Sequence, residues 1–161
     1  MKTLILMRHA KSDWAQGTPD RERPLNGRGR RAAALMGVWL AEEGLIPDAA
    51  RVSSAVRTRE TWDRLAAQWQ HPPEARFEDG LYLCEPDAIL AAVQAAQGER
   101  LLVLGHNPGM GRAMERVADE PKHLDCVTAA VAVYRLPIAS WRNADFGIGR
   151  LVQFQVPKSL V

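Results

Sequence analysis

The sequence predicts an α/β fold, a three-layer α/β/α sandwich with a mostly parallel central sheet, and three observations lead there. Strand-like and helix-patterned segments alternate along the chain. Its 161 residues, 47% hydrophobic and 25% charged, suffice for one core and not for two, so a single domain over residues 1–161 is expected. Three segments rich in Arg and His fall where strands end, which is where open α/β sheets hold their ligands.

The elements follow in order. Lys2 to Met7 reads as a buried strand. A polar, Pro-containing loop runs from Lys11 to Leu25, after which Asn26 caps a helix to about Glu43, with Leu35, Met36, Trp39 and Leu40 on one face and Gly44 past its end. Ala50 to Ser53 is a short second strand, and a helix follows from about Ala55 to Trp69, closed by His71, Pro72 and Pro73. A weaker strand at Ala75 to Glu78 precedes a helix from Pro86 to Ala96, with Pro86 suited to a first turn. Leu101 to Gly105 is the clearest buried strand, followed by a turn at His106 to Gly109 and a short helix from Met110 to Val117. Thr128 to Leu136 and Leu151 to Val156 close the sheet, the second with period-2 alternation.

Composition narrows the function. No apolar run approaches the ~18 residues of a membrane span, and Thr3 to Met7 is shorter than the apolar core of a signal peptide, so a cytoplasmic protein is expected. Cys84 and Cys126 have neither CxxC nor metal-finger spacing and read as reduced and structural. Net charge is only +2, but lysine is confined to Lys2, Lys11, Lys122 and Lys158, and every other cation is arginine. Arginine suits planar oxyanions such as phosphate, although a compositional bias of the source genome explains the same excess.

The chemistry lies in Arg8-His9-Ala10-Lys11-Ser12 after the first strand, Ser53 to Thr61 after the second, and Gly105-His106-Asn107-Pro108-Gly109. If these strands are neighbours, His9, His106, Arg8 and Arg57 converge into a receptor for a dianionic phosphoryl group. Arg57 falls in the first turn of its helix, where Ser53 or Ser54 is the expected cap and the helix N-terminus adds partial positive charge. A neutral imidazole with one ring nitrogen on a backbone acceptor leaves the other free to attack phosphorus. Arg8, Arg57 and His106, the last as a protonated donor, would stabilise the transferring group. The arginines neutralise the charge, so neither a metal nor another cofactor is expected.

These residues resemble the histidine phosphatase superfamily. The short chain, Arg8-His9-Ala10-Lys11-Ser12, Arg23-Pro24-Leu25-Asn26 and Gly105 to Gly109 together resemble its SixA-like phosphohistidine phosphatase group, over residues 4 to about 110. The resemblance implies a phosphoglycerate-mutase-like fold, with His9 as a transiently phosphorylated nucleophile and Arg8, Arg57 and His106 around the phosphate. It also implies Arg23 as a substrate contact, and phosphohistidine on a protein as substrate, with a small phosphate ester as the alternative. The chain departs from the family in having Ser54 where proline is common, and in leaving only the 44 residues from 62 to 105 for an acid-bearing lid. Glu78, Asp79 and Glu85 remain candidates for a general acid.

Rival chemistries are checked against the same residues. A cysteine phosphatase needs arginine six positions after its nucleophile, where Leu90 follows Cys84 and Ala132 follows Cys126. Asn107 occupies the serine position of a nucleophile elbow, and the glycines lack the Lys-Ser/Thr of a P-loop. The four histidines have no metal-ligand spacing, and His71 and His123 read as solvated. Arg21, Arg23, Arg28, Arg30 and Arg31 have no interleaved aromatics, so they read as a solvated face with one substrate contact, and no nucleic-acid partner is expected. A non-catalytic phospho-residue binding module built on the same pocket is the third reading.

Overall fold

The computed structural model describes residues 1–14 and 17–161. Ten regular elements follow the alternation expected from the sequence: β1 (Lys2–Arg8), α1 (Gly27–Glu42), β2 (Ala49–Ser53), α2 (Val56–Ala66), β3 (Ala75–Glu78), α3 (Pro86–Gln94), β4 (Arg100–Gly105), α4 (Gly109–Val117), β5 (Val131–Leu136) and β6 (Arg150–Gln155). They form one six-stranded sheet in the order β3-β2-β4-β1-β5-β6. The first four strands are mutually parallel, and at one side β5 pairs antiparallel with β1 and β6 antiparallel with β5.

The layers follow from the two-residue period of a strand. In β1, Leu4 and Leu6 pack with α3 and α4, while Ile5 and Met7 point to the other face and pack with α1 and α2. In β4, Leu101 and Val103 divide from Leu102 and Leu104 in the same way. A strand covered on both faces must be apolar at every position, which is why these two read as unbroken hydrophobic runs. The result is the three-layer α/β/α sandwich expected from the sequence.

Local signals decide where most elements begin and end. The Asn26 side chain accepts a hydrogen bond from the Gly29 N–H at 2.9 Å and so caps α1, and Gly44 at φ +69° takes the left-handed turn beyond it. Helix α2 stops at Ala66, three residues before the expected end at Trp69. There the chain tightens through Gln68 N–H to Leu65 O and Trp69 N–H to Ala66 O, and the Trp69 indole turns to donate to Gly37 O of α1 at 2.9 Å. Strand β5 begins at Val131 and not at Thr128, because Ala129 adopts φ +62° while its N–H bonds His9 O at 2.9 Å.

The loop from Lys11 to Leu25, of which residues 15 and 16 lie outside the described residues, carries a single 3-10 turn at Asp20–Glu22. Its two ends are tied together, with Asn26 N–H on Lys11 O at 3.0 Å and Asp13 N–H on Pro24 O at 2.8 Å. That closure brings Asp20 and Arg23 back over the end of β1.

Candidate active site

Because β4 lies between β1 and β2, the C-terminal ends of the three strands stand side by side, with Arg8 opposite Gly105 and Val52 opposite Leu104. The residues next in sequence, His9, Ser53 and His106, therefore meet without any long-range coincidence. Hydrogen bonds fix the meeting: His9 N–H donates to Gly105 O at 3.0 Å, and Ala10 N–H to the Thr61 hydroxyl at 3.1 Å, which joins β1 to α2. A polar cavity of about 240 Å³ opens at this edge, and its lining includes Arg8, His9, Asp20, Arg23, Arg57 and His106. All five residues singled out in the sequence line it.

His9 sits at its floor, 6% exposed. Its Nδ1 lies 2.7 Å from Ala10 O, an acceptor only, so Nδ1 carries the proton and Nε2 keeps its lone pair. The Arg57 Nε–H points at that Nε2 from 3.4 Å. Burial, opposed by the Ala10 bond and reinforced by Arg57, Arg8 and Arg23, pushes the His9 pKa down to about 3. The imidazole is neutral and nucleophilic.

Asp20 organises the guanidiniums. Arg57, 2% exposed, donates through one terminal nitrogen to Asp20 O at 2.7 Å and through the other to Asp20 Oδ2 at 3.0 Å. Arg23 donates from Nε to Asp20 Oδ1 at 3.1 Å and from a terminal nitrogen to the Ser12 hydroxyl at 2.8 Å, and it stacks over Trp14 at 3.6 Å. The Tyr82 hydroxyl also donates to Asp20 Oδ2, and its ring stands edge-on to His106. Tyr82 above all, then Arg57 and Arg23, hold the Asp20 carboxyl down at about 2. Arg8 donates to Cys126 O at 3.1 Å, and its buried Nε has no partner among the described residues.

His106 departs from expectation. Its Nε2 is 2.7 Å from the Ser53 hydroxyl, its buried Nδ1 has no partner among the described residues, and burial together with His9 and Arg57 pushes its pKa down to about 3. Burial first, then the adjacent His9 and Arg57, disfavour its charged form, so its imidazole is held neutral where a protonated donor was expected. The serines also differ from their expected role. Ala55 is the N-cap residue of α2, with no side-chain cap, while Ser53 is spent on His106 and Ser54 on Asp79.

The three candidate acids lie outside the cavity. Glu78 pairs with Arg51 at 3.1 Å, Asp79 with Arg21 and Ser54, and Glu85 with Arg112 at 3.7 Å. The carboxylate in the site is Asp20, which sequence reasoning missed together with Tyr82. An acidic residue three positions before Arg23, in the loop that follows the first site motif, was the available signal. His71 and His123 are exposed, as expected. No cluster of three or more His, Cys, Asp or Glu suited to a metal occurs among the described residues, and no helix among them is long and apolar enough to cross a membrane.

Known proteins resemble this chain in sequence and in fold. The sequence model of the histidine phosphatase superfamily (branch 1) matches residues 4–81. The uncharacterized protein Rv1276c of Mycobacterium tuberculosis is 33% identical over 94% of this chain and 100% of its own length. Among solved structures, a Nakamurella multipartitia protein assigned as a phosphohistidine phosphatase SixA superposes with TM-score 0.85 at 30% identity, covering 97% of this chain and 96% of that one. A protein histidine phosphatase SixA complexed with tungstate gives TM-score 0.84 at 23% identity over 99% of both chains, a likeness of fold.

Proposed function

We propose, from the premise that this chain belongs to the histidine phosphatase superfamily, that it is a metal-independent phosphatase working through a covalent phosphohistidine on His9, with phosphohistidine on a protein as its substrate. The observation that carries the reading is the state of His9. Its Nδ1 is pinned to a backbone oxygen at 2.7 Å, and its free Nε2 faces a cavity walled by guanidiniums.

The steps follow from the geometry. A phosphoryl dianion entering the cavity meets Arg8, Arg57 and Arg23, which neutralise its oxygens, and His106 Nδ1 is an additional donor in the tautomer whose Nε2 accepts from Ser53. His9 Nε2 attacks phosphorus, the bond to the leaving group breaks, and Ala10 O stabilises the resulting imidazolium through Nδ1–H. Water then attacks phosphorus, releases phosphate and restores neutral His9. The arginines supply the charge neutralisation that a metal supplies in other phosphatases.

Substrate choice follows from the acid. An ester leaves as an alkoxide and needs a positioned proton donor worth ~10²–10⁴-fold in rate, whereas phosphohistidine leaves as imidazole. None of the three acids considered from sequence reaches the cavity, which favours the P–N substrate. The likeness at 30% identity to a protein assigned as a phosphohistidine phosphatase points the same way.

The test is rapid quenching during turnover in the presence of a chelator, together with a substrate panel. An acid-labile, base-stable phosphoprotein is expected in the wild type and absent in His9→Ala. The kcat/KM for a phosphohistidine peptide is expected to exceed that for alkyl phosphates by at least ~10²-fold. Activity that returns only with a divalent ion would sink the metal-independent mechanism. Equal or better turnover of a sugar phosphate would make the chain a small-molecule phosphomonoesterase, and binding without turnover would make it a phospho-residue binding module.

A further inference from the structure

Asp20 is the only carboxylate among the described residues that line the cavity. Its two oxygens take donors from Arg57 at 3.0 Å, Arg23 at 3.1 Å and the Tyr82 hydroxyl. A carboxylate so surrounded stays ionised, so it has no proton to give a leaving alkoxide, and its negative charge opposes that alkoxide's departure. A phosphohistidine meets it differently. When the ring nitrogen remote from phosphorus is protonated, the substrate ring is a cation with one N–H to donate.

Position makes the encounter reasonable. His9 lies at the floor, 6% exposed, and the Asp20 side chain stands toward the mouth, 43% exposed. The Arg57 guanidinium spans the two, touching His9 Nε2 with its Nε and Asp20 with its terminal nitrogens. A group displaced in line by Nε2 departs away from the floor, toward the mouth.

We propose that Asp20 selects the leaving group: its carboxylate accepts a hydrogen bond from the remote ring N–H of the substrate phosphohistidine and keeps that ring protonated while the P–N bond breaks. The inference rests on the phosphohistidine reading above. The His9 Nε2 lone pair forms the new N–P bond, and the electron pair of the old N–P bond returns to the substrate ring. That ring keeps its N–H and leaves as neutral imidazole, so no enzyme proton is consumed. The transfer then runs between two imidazoles of the same kind, each with its remote N–H on an oxygen, Ala10 O on the enzyme side and Asp20 on the substrate side.

The experiment compares a phosphohistidine peptide with 2,4-dinitrophenyl phosphate, whose leaving group needs no proton. Asp20→Asn, which removes the charge, is expected to lower kcat/KM for the peptide at least about tenfold more than it lowers that for the aryl phosphate, the size of losing a hydrogen bond to a charged group. Because Asp20 also holds Arg57, an equal loss on both substrates would reduce it to a positioning residue and overturn the proposal. A second measurement uses only the wild type. Phosphoimidazole is expected to react at least about tenfold faster than its analogue methylated on the remote nitrogen, which keeps the charge and lacks the N–H. Equal rates would also overturn it. Wild-type enzyme that hydrolyses the aryl phosphate and leaves the peptide intact would remove the substrate reading itself, a different outcome from either of these.

Discussion

Two hydroxyls adjacent in the chain, Ser53 and Ser54, take opposite places at the edge of the site. Ser53, at the end of β2, is fully buried and holds His106 Nε2 at 2.7 Å, fixing both the orientation of that ring and which nitrogen faces the cavity. Ser54 turns outward to Asp79 Oδ1 at 2.6 Å and to Arg21. Loss of the Ser53 hydroxyl leaves a neutral ring free to rotate without removing a charge, so the cost is that of one ordinary hydrogen bond, ~1 kcal/mol. Ser53→Ala is expected to lower kcat/KM for an aryl phosphate about fivefold with the fold intact, and Ser54→Ala to leave it unchanged, as steady-state kinetics on the two purified variants would show.

Elements carry the site residues at their ends, so close approaches there matter more than helix propensity. Gly109 opens α4 three residues after His106, and a Cβ on it would lie 2.0 Å from Cys84 O. A backbone oxygen cannot swing aside as a side chain can, so the start of α4 or the 84–85 segment must move. Gly109→Ala is expected to destabilise the fold by about 1–3 kcal/mol, the usual range for overpacking, and to impair turnover through His106. Gly80, in the 3-10 turn after β3, has open space around it and no positive φ. Gly80→Ala is expected to be neutral or to stabilise by up to about 1 kcal/mol, and thermal melts of the two variants separate close approach from backbone entropy.

At the scale of the whole molecule, burying two neutral imidazoles makes the fold sensitive to acid. His9 and His106 both have pKa values near 3 in the fold, against the 6.5 of an ordinary histidine. Between those values the unfolded chain binds protons that the folded chain refuses. Stability is therefore fully present above about pH 6.5 and is lost as pH falls toward 3, at up to about 1.4 kcal/mol per pH unit for each histidine. Urea unfolding from pH 7 to pH 4 should show this dependence, and His9→Asn combined with His106→Asn should flatten it.

The sequence by itself determined the sandwich and the strand ends that bear chemistry. A short unbroken apolar run such as Leu101 to Leu104, bounded by charged residues and Gly105, fits a strand covered on both faces, and a motif directly after such a strand has its place fixed by the strand. His9, Arg8, Arg57 and His106 were legible for that reason, as was Asn26 as a cap. The charge state of the site and the carboxylate within it were decided by the tertiary structure alone. Asp20 meets Arg57 from 37 residues away and Tyr82 from 62, and no spacing rule reaches across such loops. The acids sought between the second motif and His106 pair instead with Arg51, Arg21 and Arg112, outside the cavity. Whether a histidine is charged or an aspartate holds its proton depends on the water removed from it and on the charges within a few ångströms. Both are properties of packing in three dimensions and not of order along the chain.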